Sequence, residues 1–297
     1  QNEIPEYLNE IIFYLGQNYN FIWQNTNQNL LFNGNHISQN NDFDKYLSFH
    51  NYKFKNESNE YGGYVILKNK NVILSADLGS SPEKKFSNDY QSGALSFEIF
   101  FNNCKLISNC GYFQNYKHQL NSISKSTATH STMILDNRSS CKLKKDSDGI
   151  FKVDQELKIL KKSVTFEKKY WNISGSHDGY LKKYGVIHER KIEFFIEKNK
   201  FIGTDKLIKK KKFKSSNFEI RFHFEPGVKI TKTQDEKSIL VELENSGWKF
   251  SCKDHKIDVE TGLYFGKKNS FVENQNIFIS GLTQNEDQEI VWEIIKI

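Results

Sequence analysis

From residue 62 onward the sequence is a succession of short apolar runs, each closed by Asn, Gly, Asp or Lys. That rhythm points to strands. The stretch GGYVILKNKNVILSADLG reads as two strands around a Lys-Asn-Lys-Asn turn. ALSFEIFFNNCKLISNCG repeats the pattern with a turn at Asn102-Asn103. Further strands are predicted over 131–135, 163–168, 171–176, 185–190, 192–197, 200–207 and 219–224. The series continues over 239–244, 247–252, 263–265, 276–280 and 290–297. Many short strands at close spacing make a sandwich or a barrel. With no Pro-rich or Gly/Ser linker after residue 60, they read as one large β domain.

The N-terminal stretch is different. Ile4, Leu8, Ile11, Ile12 and Leu15 fall at helical spacing, with Pro5 near the front and Gly16 at the end. One amphipathic helix needs a partner for its apolar face. A second short helical pattern runs through 41–49. The start lacks the basic residues and cleavage site of a signal peptide and reads as the middle of a longer protein more than as a natural start. No apolar run approaches the ~20 residues that span a bilayer, so no membrane partner is expected.

The net charge of +6 favours anionic partners weakly. The densest charge run, KLIKKKKFKSS at 206–216, suits a solvated loop or an edge strand protected by Lys. No nucleic-acid-binding fold accompanies it, so no nucleic-acid partner is expected. Apolar residues make up 37% of the chain, and 24 Phe supply much of the core-forming bulk. Cys104, Cys110, Cys141 and Cys252 show no CxxC pair; they read as free thiols, while three disulfide pairings remain formally open.

Several stretches carry a resemblance: LLFNGN (30–35), SADLGSSP (75–82), SGALSFEIFF (92–101), LISNCG (106–111) and TATHSTMILD (127–136). The others are SHDGYLKKYGVIHERK (176–191), FEIRFHFEPGV (218–228), SGWKFSC (246–252) and WEI (292–294). In order and spacing the set resembles the heparinase II/III-like family, in particular its alphaproteobacterial branch. The resemblance implies an α/α toroid followed by a C-terminal β-sandwich. Residues 1–20 would then be the last helix of a mostly absent toroid. Residues 21–297 would be the sandwich: mainly β, large, antiparallel and supersandwich-like, with a short N-terminal helical stub packed against the toroid.

The family's lyases cleave uronic-acid polysaccharides by β-elimination. That reaction needs a base for the proton α to the carboxylate, a group that neutralises the carboxylate, and an acid for the leaving oxygen. The family's usual catalytic Tyr and His lie in the toroid, and nothing in this chain matches them. Better-known members carry an H-x-H-x-D pattern before SFE, where one His is catalytic and the next binds a structural zinc. An Asp in the following strand and the His of A-H-N/S-T complete the metal site. Here Asp89 falls at the first His, Gln91 at the second, Gly93 at the Asp and Asn109 at the metal-binding Asp. Only His130 is retained. Gln, Asn and a lone His are a poor zinc set, so no metal and no cofactor are expected. Asp89 stands as a candidate base, if its surroundings raise its pKa.

Each candidate has a structural reading beside its functional one. His130 suits a neutral imidazole caged by Ser126, Thr127, Thr129, Ser131 and Thr132. His177 and His188 would meet across a hairpin, and with His130 could form a cluster, while Asp178 suits a turn. Arg221 and His223 share one face of a strand, either touching an acidic sugar or simply solvated. Tyr90, Tyr112, Tyr116 and Trp171 could stack on sugars or fill the core, and Tyr112 or Tyr116 would lie near the Asp89 loop. The site expected is therefore Asp89, His130 and Tyr112 as catalytic groups. Gln91, Asn109, His177, His188, Arg221 and His223 are the expected contacts to an acidic polysaccharide. The isolated chain would depend on its toroid for turnover. The alternative is a non-catalytic carbohydrate-binding or structural module.

Overall fold

The computed structural model describes Phe49 and residues 59–297, apart from Phe213, Lys267 and Lys268. The stub helix at 4–16, the toroid assignment of 1–20, the LLFNGN stretch and the helical pattern before Phe49 lie outside the described residues.

Three sheets build two layers. The first sheet follows chain order: β1 (Glu60–Tyr61), β2 (Tyr64–Lys68), β3 (Val72–Asp77), β4 (Phe97–Phe101) and β5 (Cys104–Ile107). Its turns are set by asparagine. Asn69 Oδ1 accepts the N–H groups of Asn71 and Val72, which closes the β2–β3 turn. Asn102 and Asn103 both adopt left-handed φ, 48° and 66°, as a two-residue hairpin turn demands.

The second sheet has the order β17-β18-β13-β6, with β6 Met133–Leu135, β13 Asn217–His223, β17 Ile257–Tyr264 and β18 Val272–Leu282. Ser108 bridges to His223, its N–H donating to the His223 carbonyl at 2.9 Å, and Gly111 bridges to Phe265, which joins this sheet to the end of the first. The two sheets thus form one layer with a seam at Ser108 and His223.

The opposing layer has eight strands. They are β9 (Ile159–Phe166), β10 (Tyr170–His177), β11 (Val186–Phe195), β12 (Lys200–Lys209), β14 (Lys229–Lys232), β15 (Ser238–Leu243), β16 (Ser246–Cys252) and β19 (Gln288–Lys296). They run in the order β14-β15-β16-β19-β12-β11-β10-β9. A separate hairpin, β7 (Lys142–Lys145) and β8 (Phe151–Gln155), flanks them.

Aromatic rings lock the layers together. Phe97 of the first sheet stacks on Trp292 of β19 with centroids 5.5 Å apart. Phe222 of the second sheet meets Trp292 at 4.9 Å and Phe250 at 4.6 Å, edge to face in both pairs. All three sheets therefore share one core, and the Phe-rich composition finds its use there.

Trp292 also imposes a glycine. It lies directly opposite Gly203 in the β12–β19 register. A Cβ at Gly203 would fall 1.9 Å from the indole, which is held by Phe97 and Phe250 on either side. Gly203→Ala is expected to destabilise the fold by about 1–3 kcal/mol, read as a lower urea midpoint. An unchanged midpoint would mean that the indole has room to move.

The sequence reading needs three corrections here. Residues 185–190 and 192–197 are not two strands but the single β11; Lys191 sits on its outward face, and the turn comes at Ile196–Lys198 with Asn199 left-handed. The lysine run is not an edge strand. Its first part closes β12, which lies between β11 and β19, and Lys210, Lys211 and Lys212 continue as an exposed loop. The β7–β8 hairpin and β14 escaped prediction because Lys-rich runs hide their alternation.

Candidate functional site

The seam of the two-sheet layer gathers most of the expected residues. The loop before β4, the segment after β5, the helix α1 (Gln119–Ser124) and the 3₁₀ turn Thr127–Thr129 converge there.

His130 closes that turn and is 1% exposed. Its Nδ1 lies 2.9 Å from the Ser126 carbonyl and 3.3 Å from Thr129 Oγ1. A carbonyl only accepts, so Nδ1 carries the proton and Nε2 bears a lone pair. That Nε2 is buried without a hydrogen-bond partner. Burial pushes the imidazole down to about 4. The hydroxyl cage is only partly as expected. Thr127 Oγ1 donates to the Ser92 carbonyl, Thr132 Oγ1 to Ala94 and Ser131 Oγ to Ser108, so these groups fasten neighbouring segments instead of the ring.

Gly93 explains where the ring sits. A Cβ there would lie 2.6 Å from His130 Cδ2 and 3.0 Å from Nε2. The imidazole fills the space in which a side chain at 93 would begin. Gly93→Ala is expected to cost about 1–3 kcal/mol in denaturant unfolding. No loss would show that His130 turns aside freely.

The zinc set of the resembling family does not fit these residues. Asn109 Oδ1 accepts the Ser131 N–H at 2.8 Å, and its Nδ2 and N–H both donate to Glu98 Oε1. Gly93 offers no ligand, and His130 offers one lone pair. Among the described residues no group of three His, Cys, Asp or Glu side chains converges as a metal site.

His223 meets the same layer from β13. Its ring is buried, with Nδ1 3.1 Å from Cys110 Sγ. Burial pushes the Cys110 thiol up, so it stays protonated and donates to the imidazole. Burial also pushes His223 down to about 3. The solvated polar face foreseen for Arg221 and His223 is therefore wrong. His223 is buried, and half-buried Arg221 is held by Glu219 at 2.6 Å and by Glu260 of β17 in the same sheet.

At the surface of the seam the Asp89 loop does meet Tyr112. The Asp89 carboxylate stands beside the Tyr112 hydroxyl and near the Lys125 ammonium. Tyr112 accepts a 3.0 Å bond from Asn121 Nδ2, which also donates to the Phe113 carbonyl. Burial, then Asp89, pushes the phenol up. Lys125 is the residue the sequence reading missed. Its Nζ donates to the Phe151 carbonyl at 2.9 Å and to the Asn88 carbonyl, pinning the Asp89 loop to β8. Burial lowers it to about 8, against the pull of Asp89. A Lys buried beside Ser and Thr in SKST gave no periodic signal. Of the expected catalytic groups only Asp89 is exposed; Tyr112 and His130 are buried, as is the expected substrate contact Gln91. Tyr90 and Trp171 are core residues, while Tyr116 is exposed.

His177 and His188 come together elsewhere, as a directly opposed pair on β10 and β11. Gly179 N–H donates to His177 Nδ1 at 3.1 Å, so His177 Nε2 carries the proton and donates to His188 Nδ1 at 3.3 Å. His188 Nε2–H then donates to Asp205 Oδ1 at 2.6 Å. Asp205 also takes two bonds from Arg190 and one from Trp292 Nε1. Arg190 Nη1 reaches across to the carbonyls of Leu95 and Ser131, tying this sheet to the seam. Both imidazoles are fully buried and neutral, pushed down by burial first. They neither line a surface nor share partners with the His130 ring, so the three-histidine cluster does not form.

The fold is thus a two-layer antiparallel sandwich with a sealed, histidine-bearing seam. The profile of the family described as heparinase II/III-like, C-terminal, matches residues 55–293, and the chain belongs to that family. Among solved structures it is similar to a heparan sulfate lyase HepC mutant from Pedobacter heparinus, at 14% identity and TM-score 0.70 over 91% of this chain and 44% of that one. A heparinase III gene product with methylated lysines gives TM-score 0.71 at 14% identity, over 99% of this chain and 47% of that one. Another heparinase III gives 0.68 at 14% identity, over 90% and 44%. The chain spans less than half the length of these proteins. No curated protein matches it in sequence.

Proposed function

We propose that this chain is the C-terminal sandwich of a polysaccharide lyase that acts by β-elimination on an acidic, uronic-acid polysaccharide. Membership of the heparinase II/III-like family carries this reading. Asp89 is its one exposed candidate, placed where the family has its first histidine. Tyr112 and Asn121 flank it, and Lys125 acts as a positioning residue that holds its loop. Asp89 is the candidate base in this chain, and the acid and carboxylate-neutralising groups that the reaction still lacks would come from a preceding toroid.

The complete gene product should generate a conjugated carbon–carbon double bond in an acidic polysaccharide, followed by ultraviolet absorbance. Asp89→Asn should lower kcat/KM at least about tenfold. Undiminished activity would remove Asp89 from the chemistry. The absence of product from every acidic polymer tried would favour the second reading, a non-catalytic module. The burial of His130 and His223 speaks for that second reading.

A further inference from the structure

A cleft of about 730 Å³ runs between the β7–β8 hairpin and the turn carrying α2 (Leu181–Tyr184). Its volume suits a ligand of several rings rather than a single ion. Its walls carry Arg138, Lys142, Lys182, Lys183 and Lys211, against the acidic groups Glu156 and Asp178. Some of these charges are already engaged. Lys142 pairs with Asp154 at 2.6 Å, and Lys183 lies over the Tyr184 ring. Asp178 Oδ1 accepts the Lys158 N–H at 2.8 Å. Arg138, Lys182 and Lys211 are exposed and form no ion pair with a described residue.

These three cations come from three separate segments and line one cleft. Several unpaired cations in one cleft match several anionic groups on one ligand better than a single one. The lining also offers neutral partners. Ser139 Oγ accepts the Thr127 N–H and keeps its own O–H for another acceptor. A sugar needs such hydroxyl contacts beside its charged groups. Base stacking, by contrast, needs exposed rings. Of the rings in the lining, Tyr180 and Tyr184 are buried and Phe151 is half-buried, so no fully exposed ring is offered.

We propose that this cleft is a binding subsite for an acidic oligosaccharide, with Arg138, Lys182 and Lys211 pairing its carboxylate or sulfate groups and Ser139 bonding a hydroxyl. The inference rests on the reading of this chain as part of a protein that handles acidic polysaccharide. It adds a place on the sandwich, beyond the Asp89 rim, where the polymer is held.

The test is calorimetric titration of the whole chain at low salt. The probes are a heparan sulfate tetrasaccharide, an unsulfated uronic-acid tetrasaccharide and neutral cellotetraose. At least one acidic probe should bind and the neutral one should not. The triple variant Arg138→Ala/Lys182→Ala/Lys211→Ala should weaken that binding roughly tenfold or more. All three substitutions are on exposed side chains, and far-ultraviolet circular dichroism checks the fold. Unaltered binding by the triple variant would overturn the cleft and leave the lyase reading standing. Binding of neither acidic probe would overturn the cleft too, while the activity assay on the complete gene product separately decides the lyase reading. Equal affinity for a short oligothymidylate would mark a generic polyanion surface, and the proposal would fall.

Discussion

Asp205→Asn is expected to cost about 3–5 kcal/mol of folding stability, measured by urea unfolding at neutral pH. The carboxylate is 0% exposed. All its partners are donors: His188 Nε2 and Arg190 Nε at Oδ1, and Arg190 Nη2 and Trp292 Nε1 at Oδ2. Burial alone would raise this carboxyl, but Arg190 and His188 outweigh it and hold it well below the usual range. An asparagine must turn its NH₂ toward two of those donors, whichever way it flips. It also leaves the Arg190 guanidinium buried without a counter-charge, and that is the larger penalty. The damage should spread, because Arg190 also holds the Leu95 and Ser131 carbonyls next to the seam. The double variant Arg190→Met/Asp205→Leu should recover much of the loss, since it removes both charges together. A single-variant loss below about 1 kcal/mol would show that water reaches the pair.

Why this cluster was not foreseen is instructive. On β11 the residues Val186, His188, Arg190, Ile192 and Phe194 alternate inward. On β12 so do Phe201, Gly203, Asp205 and Leu207. An Arg and an Asp on the apolar faces of consecutive strands signal a buried pair. That signal is legible in the alternation, although His188 on the same face masks it. Splitting β11 at Lys191 then hid the shared face. The hairpins at Asn69 and Asn102–Asn103 were legible because turn chemistry is local. The seam was not, because Ser108 and His223 stand far apart in sequence and only the folded chain shows their pairing.

The family signature behaved in a similar way. His130 and Asn109 both lie at the seam, through Ser126 and Ser131, while the Asp89 loop meets Tyr112 at its surface. Hydrogen bonds decide what they form. A glycine at 93 lets the His130 ring fall into the vacated space. Asn109 turns its amide to Glu98 and Ser131. The result is a hydrogen-bonded interior layer, with exposed polarity reduced to the Asp89 rim. His130, which the sequence left between catalyst, ligand and structural residue, is held as a neutral structural imidazole.

Those neutral imidazoles set the pH response. Stability is expected to fall by about 3 kcal/mol between pH 7 and pH 5, by urea unfolding at each pH. His130 and His223 are pushed down to about 4 and about 3, and His177 lies well below its ordinary value, in each case by burial first. Near pH 6.5 the unfolded chain takes up a proton at each, and the folded chain does not. The unfolded state therefore binds more protons, and stability is lost as pH falls through that window. His130 and His223 each contribute about 2 kcal/mol of loss by pH 5, and His177 adds in the same direction. His188 is also lowered and adds to the fall. Asp77 works the other way. Burial raises it to about 7, so the folded state holds its proton where the unfolded state does not. Its contribution is fully present below about pH 4 and lost as pH rises through 7, which returns about 2 kcal/mol over the same interval. Three or more histidines outweigh one aspartate, so the net slope is toward acid lability. Asp77→Asn should steepen that slope, and His223→Gln should flatten it. A wild-type stability that holds level from pH 7 to pH 5 would mean that the imidazoles protonate in place, and a seam open to water would replace the sealed one.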